Sequence, residues 1–231
     1  MVRTNLEIYP DILSADEIRL LQLLPRSPGD SSQEPECRLS PHSLVDAPRY
    51  TALSYAWNEP RAVLTQDEPT ERRIRINGQI MVGIPNLYHA LRHLASYSDE
   101  VDDGYLWIDA ICINQASDQE RTIQVSIMHL IYRQAACVYI WLGPDLDHEA
   151  YSVREFLRAL LQTFWVEDNA LKSKGYSMGF LGELSLLERY EGTVPRVTRE
   201  IWRKVFRFWN AAWFSRVWVQ QEVALARATR F

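Results

Sequence analysis

Apolar residues along this chain fall into short, dense runs broken by polar turns, and the period of each run predicts an element. Tyr50 to Trp57 (Tyr-Thr-Ala-Leu-Ser-Tyr-Ala-Trp) reads as a strand that runs into the polar break Asn58-Glu59-Pro60. Arg73 to Val82 alternates with a period of two on both sides of Asn77-Gly78, the strongest short-range signal for a β-hairpin. From Pro85 to about Ala95, Leu87, Ala90, Leu91 and Leu94 recur at helical spacing. Tyr105 to Ile108 again reads as a strand, followed by a polar turn and a helix from Asp118 that carries Ile123, Ile127, Met128, Ile131 and Ala135 on one broad face. Ser117 and Glu120 have the spacing of a capping box at its start. Ala136 to Leu142 reads as a fully buried strand closed by Gly143-Pro144-Asp145.

The flanks are less regular. Between residues 8 and 24, Ser14 and Glu17 suggest a capped helix, yet Ile18, Leu20, Gln22 and Leu24 alternate as a strand, and both readings stay open. Residues 25 to 35 are turn-rich, and Cys37-Arg38-Leu39 suits a short strand. After Glu149 the chain reads helical to about Val166; residues 167–197, with Gly175, Gly179, Gly182 and Gly192, suit an insertion. From Val197 a helix carries Ile201, Val205, Trp209 and Trp213 at helical spacing. Strands alternating with helices predict an α/β fold: a mainly parallel sheet flanked by helices, with an added β-hairpin and a helical insertion, within a single domain.

Composition narrows the function classes. With 47% apolar residues over 231 positions the chain can fill a sizeable core, and its formal charge of −5 carries no footprint for nucleic acid. The first residues lack a basic stretch followed by an apolar segment of signal-peptide length, and no apolar run reaches the roughly 18 residues of a spanning helix. Cys37, Cys112 and Cys137 are odd in number and far apart, and His42, His89, His93, His129 and His148 form no ligand motif. A reduced, cytoplasmic, metal-free protein with no membrane partner is expected. The glycines after residue 170 follow no strand and precede no Gly-Lys-Ser/Thr, so they are no phosphate loop.

Candidate chemistry collects where strands end, because open α/β sheets bind ligands at strand carboxyl ends. Ser54, Tyr55 and Trp57 close one predicted strand; a hydroxyl and aromatic faces there suit a nucleotide, and core or rim packing is the competing reading. Asp109 closes the next, as a ligand contact or as an acceptor fixing the turn, while Asn114 and Gln115 suit a ribose or amide edge or plain turn chemistry. Arg121 would neutralise a phosphate or pair with Asp118. Cys112 sits in an apolar run with no histidine at a motif position, which favours packing over nucleophilic catalysis. Arg199, Arg203, Lys204 and Arg207 read as a solvated face.

Three blocks together resemble the fungal heterokaryon incompatibility (HET) domain. They are Tyr50 to Trp57; Leu106 to Gln115 continuing through Glu120-Arg121, Gln124-Val125, Met128, Ile131-Tyr132 and Trp141-Leu142-Gly143; and Trp213-Phe-Ser-Arg-Val-Trp-Val-Gln-Gln-Glu222. The resemblance covers roughly residues 18 to 229 and departs from the family at Asn58, where glycine is usual. It implies a cell-death effector of fungal nonself recognition. The family is in turn similar to Toll/interleukin-1 receptor (TIR) domains, flavodoxin-like folds of which several cleave NAD⁺ with a glutamate in a helix opened by Trp-x-x-x-Glu. Trp218 to Glu222 fits that pattern.

The resemblance therefore implies Glu222 as the catalytic group, Trp218 beside the substrate with the strand-end residues, and NAD⁺ or a related nucleotide as substrate rather than bound cofactor. A helix glutamate paired with Arg216 is the competing reading of Glu222. The rival function is a non-catalytic module acting through self-association or a partner signalling protein.

Overall fold

The computed structural model describes residues 8–24, 34–57, 72–96, 104–145, 149–172 and 198–231, with the backbone alone for 162–172. Asn58 and the glycines between 173 and 197 lie outside the described residues. The chain divides into two compact units, one comprising residues 1–144 and 212–231 and the other residues 145–211.

The first unit is built on an eight-stranded sheet in the order β5-β4-β2-β1-β6-β3-β7-β8. Its strands are β1 (Glu17–Leu23), β2 (Glu36–Ser43), β3 (Thr51–Tyr55), β4 (Arg73–Ile76), β5 (Gln79–Val82), β6 (Tyr105–Trp107), β7 (Cys137–Trp141) and β8 (Thr229–Arg230). Parallel pairs join β2 to β4, β3 to β6 and β7, and β7 to β8; β1 runs antiparallel to β2 and β6, and β4 to β5. The α/β class expected from the alternating pattern is the one observed.

Every residue of β3 and of β7 is buried. Such strands are covered on both faces, which is why they read as unbroken apolar runs rather than as alternation. The hairpin β4–β5 turns at Asn77 and Gly78, with φ of 50° and 80°. This is the left-handed pair that a two-residue hairpin loop demands and that Asn-Gly supplies at least cost. Asn77 also fastens the hairpin to β2: its Oδ1 accepts from Leu39 N at 3.0 Å and its Nδ2 donates to Leu39 O at 3.0 Å.

The ambiguity before residue 24 resolves as strand. Ser14, Asp16 and Glu17 form a polar turn in which the Glu17 carboxylate accepts from Ser14 N at 3.1 Å, and the chain then pairs with β2 from Glu17↔Ser43 to Leu23↔Cys37. Local capping chemistry is thus used to start a strand, because sheet pairing across seven positions outweighs one turn of helix.

Helices cover the sheet: α1 (Pro85–Ser96), the single turn α2 (Asp109–Cys112), α3 (Asp118–Gln134) and α6 (Val219–Ala224). The helix start at Ser117 is real, since its hydroxyl accepts from Glu120 N at 3.2 Å. The reciprocal half of the expected capping box is replaced. Glu120 is fully buried and turns away to meet Arg19 of β1 at 2.5 Å, Asn114 N at 2.7 Å and Leu13 N at 3.4 Å. Arg19 also donates to Cys112 O at 3.3 Å and lies 5.0 Å from the centre of the Tyr9 ring. This buried pair clamps the loop between α2 and α3 onto β1.

The second unit contains α4 (Ala150–Lys172) and α5 (Arg199–Trp209). The first of these runs about two turns beyond the predicted end near Val166. Asp145 caps α4 by accepting from Glu149 N at 2.8 Å and Ala150 N at 3.1 Å, and Thr198 caps α5 through Ile201 N at 3.2 Å. Val153, Phe156 and Val205 form its buried core, with Leu157, Leu160, Ile201 and Phe208 packed around them. Trp213 does not continue α5 as its spacing suggested. The helix stops at Trp209, and Trp213 lies in a separate 3-10 turn, Ala212–Ser215, of the first unit.

Candidate functional site

The parallel block β6-β3-β7 delivers its carboxyl ends to one edge of the sheet. Ser54 and Tyr55 are the last residues of β3, and Asp109 follows β6 after Ile108. The chain after β3 is held by Asn86 of α1, whose Nδ2 donates to Ala56 O at 2.8 Å while its Oδ1 accepts from Trp141 Nε1 at 2.7 Å. The exposed Trp57 that follows donates from its indole Nε1 to Asp109 Oδ2 at 3.0 Å. The other Asp109 oxygen accepts from Ala110 N at 2.7 Å.

Glu222 reaches the same edge from α6. Only 1% of its surface is exposed, and the Ser54 hydroxyl donates to its Oε2. The Trp213 indole donates to Ser54 Oγ at 2.7 Å, so one hydroxyl links an indole to a carboxylate. Arg216 closes the group as a fork, donating to Glu222 Oε1 at 3.1 Å and to Oε2 at 3.4 Å. A bidentate guanidinium fixes the plane of a carboxylate as well as its position.

Electrostatics tie the two carboxylates into one site. Burial lifts the pKa of Glu222 above the ordinary glutamate value; the Arg216 cation and the Ser54 hydrogen bond oppose that rise, and the Asp109 charge adds to it. Burial likewise raises Asp109, against the Trp57 hydrogen bond and the Arg216 charge. Tyr132 of α3 is pushed well up by burial and then by both carboxylates. The buried Tyr55 hydroxyl faces the Asp109 carboxylate; burial, that charge and the contact between the two groups raise its pKa. Two carboxylates, one guanidinium between their fields, two phenols and two indoles converge at the strand ends.

Of the residues singled out in the sequence, Ser54, Tyr55, Trp57, Asp109 and Glu222 come together here. Trp218 precedes α6 and is 52% exposed. Asn114 and Gln115 serve the turn: Asn114 Oδ1 accepts from Ala116 N at 3.1 Å, and Gln115 Nε2 donates to Asp109 O at 2.8 Å. Gln115 thereby supports the backbone that carries Asp109. Arg121 lies on the surface, paired with Asp118 at 2.7 Å and donating to Gln115 O at 3.1 Å. Cys112 is fully buried, and burial pushes its thiol up to about 12, which leaves no thiolate for nucleophilic work near neutral pH. Among the described residues no cluster of His, Cys, Asp and Glu could hold a metal ion, and no helix is long and apolar enough to cross a membrane.

Trp213 and Tyr132 were not singled out for the site, although both lie in the motif blocks. The signal for Trp213 was its place three residues before Arg216 and nine before Glu222, in a segment too short to hold its own core. Arg19 and Glu120 had no local signal, because their pairing spans 101 positions.

A buried carboxylate held by a strand-end hydroxyl and a guanidinium, at the carboxyl edge of a mixed sheet, defines an α/β domain with a polar site of its own. The chain belongs to the heterokaryon incompatibility protein (HET) family, whose defining pattern matches residues 50–222, from Tyr50 just before β3 to Glu222 itself. It is similar to heterokaryon incompatibility protein 6, OR allele, of Neurospora crassa, at 28% identity over 98% of this chain. The chain spans 35% of the length of that relative. No solved structure matches it.

Proposed function

We propose that this chain is the effector domain of a nonself-recognition protein and that it acts by hydrolysing NAD⁺ at Glu222. The observation that carries the reading is the state of that carboxylate: buried, oriented by Ser54 and Arg216, and raised in pKa beside a second carboxylate. Perturbed acidic groups gathered at the carboxyl ends of parallel strands mark reactive sites in α/β folds. The family and the resemblance of Trp218-x-x-x-Glu222 to the catalytic pattern of TIR domains support the choice of reaction.

The chemistry suits one principal carboxylate. The bond from ribose C1′ to the nicotinamide nitrogen breaks with its electron pair going to the ring, which leaves as neutral nicotinamide and needs no general acid. Positive charge develops on the ribose, and the Glu222 carboxylate stabilises it across a water-poor site. Water adds to C1′ and its proton passes to Glu222, then to solvent, so NAD⁺ and water give nicotinamide, ADP-ribose and a proton. Ribose hydroxyls would take over hydrogen bonds that Arg216 makes to Glu222 in the free protein. Trp57 and Trp218, both exposed, offer faces for stacking, and Asp109, steadied by Trp57, would meet the ligand beside the Tyr55 hydroxyl.

The test is direct. Purified protein is incubated with NAD⁺ beside Glu222→Ala, and nicotinamide and ADP-ribose are measured at protein concentrations that allow self-association. Turnover by the wild type and its loss in the variant support the reading. A folded wild type with no turnover favours the module that signals by assembly alone.

A further inference from the structure

The geometry points to a second ligand site at the opposite end of the parallel strands from Glu222: a cleft for a phosphate-bearing small molecule, gripped by Arg133 and Arg227. The cleft has a volume of about 740 Å³. The loop before β3 (Leu44, Val45 and residues 47–49), the last turn of α3 (Leu130, Arg133, Gln134) and Arg227 line it. Tyr50 and Ala136, the residues just before β3 and β7, also line it, whereas Ser54 lies near the other end of β3.

Charge is what makes this cleft a site. The chain as a whole carries −5, yet this cleft is lined by three arginines, Arg49, Arg133 and Arg227, and by no acidic residue. Arg133 is exposed, and its side chain makes no hydrogen bond or ion pair among the described residues. Arg227 donates from Nε to Arg133 O at 3.1 Å, an interaction that closes the end of α3 and leaves both terminal nitrogens without partners among the described residues. A helix C-terminus accounts for one cation there, but not for a set of guanidiniums facing one space.

Like charges gathered in a concave site raise the local potential and draw in a multivalent anion. The planar forks of guanidinium groups match phosphate oxygens in pairs, which a point charge does not. The remaining lining, Leu44, Ala47, Pro48 and Leu130, is apolar and gives a non-polar portion of the ligand somewhere to lie. Anion and apolar wall together favour a nucleotide-sized phosphate ester over inorganic phosphate alone.

Isothermal titration with pyrophosphate, ADP, adenosine and citrate tests this. ADP and pyrophosphate bind the wild type, with ADP tighter, and adenosine does not. Arg133→Ala and Arg227→Gln each weaken ADP about tenfold or more, the loss of one charge-assisted contact, while Glu222→Gln leaves ADP affinity unchanged. Far-UV circular dichroism confirms folding, and Arg133→Ala alone suffices if the Arg227 variant fails to fold. Absence of ADP binding to the wild type overturns the assignment, as does unchanged binding in folded Arg133→Ala. Loss of binding in Glu222→Gln, which would place ADP at the other site, overturns it too, and so does citrate binding more tightly than pyrophosphate. None of these outcomes depends on whether Glu222 is catalytic.

Discussion

The hydroxyl of Ser54, near the end of a central strand, donates to the carboxylate of Glu222, 168 residues later. This contact joins the first and last motif blocks of the domain across the edge of the sheet. It also sits in a chain of bonds from the Trp213 indole, through the hydroxyl, to the carboxylate and the Arg216 fork. Removing its middle member strands buried groups on both sides.

Ser54→Ala should therefore destabilise the first unit by about 1–3 kcal/mol, because the Trp213 indole is left unpaired in the interior and the Glu222 carboxylate loses a hydrogen-bond donor. Urea denaturation followed by tryptophan fluorescence reads the change. A variant within a few tenths of the wild type would mean that water replaces the hydroxyl and that the contact orients nothing.

The Arg19–Glu120 pair should matter more to stability than anything at the candidate site. Glu120→Ala leaves the Arg19 cation buried and removes the acceptor for Asn114 N and Leu13 N, so a cost of about 3–5 kcal/mol is expected. The accompanying release of the loop that supports Asp109 should appear as faster amide exchange at residues 111–115. A loss below about 1 kcal/mol would contradict the clamp.

Stability should depend on pH through Glu222 with a defined sign. Its folded pKa lies above its unfolded value, so the fold binds this proton more tightly than the unfolded chain does. The resulting contribution is complete below the unfolded carboxylate range and is lost as pH rises through the raised folded value. The wild type should therefore lose stability relative to Glu222→Gln as pH climbs from the ordinary glutamate range through the raised folded value, measured by denaturant midpoints at each pH. Comparing the two proteins cancels Asp16 and Glu17, whose pKa values are lowered by Ser14 and act in the opposite direction. A difference that is flat, or that runs the other way, would show that Arg216 and Ser54 outweigh burial.

At the hairpin, Asn77→Asp should cost about 1–2 kcal/mol, although aspartate tolerates the left-handed turn. The amide donates to Leu39 O as well as accepting from Leu39 N, and a carboxylate can do only the second. Thermal unfolding distinguishes this from Asn77→Ser, which loses both contacts and the turn preference together.

Much of this architecture is legible in local pattern. The Asn77-Gly78 hairpin, the buried runs of β3 and β7 and the helix starting after Ser117 all carry signals within a few residues, because turn geometry and two-sided burial act locally. The misread positions share a different cause. Glu120 has capping-box spacing, but its partner is a buried arginine on β1, and no local spacing announces a desolvated cation across the sheet. Trp213 continues the helical spacing of α5, yet the chain leaves the helix at Asn210, whose N–H bonds Phe206 O at the helix end. For the site itself, the strand-end position of Asp109 and the Trp218-x-x-x-Glu222 pattern identified two carboxylates. That Arg216 would stand within the fields of both, and Tyr132 beside them, is a tertiary fact.

The role proposed for Glu222 is to stabilise charge developing on a ribose. Nicotinamide release from saturating NAD⁺ by the wild type and by Glu222→Gln, which keeps the shape and the Ser54 contact while removing the charge, tests it most directly. A fall in kcat of about a thousandfold or more is expected, with KM changed little, as follows for electrostatic stabilisation confined to the transition state. Equal kcat in the two folded proteins would contradict it.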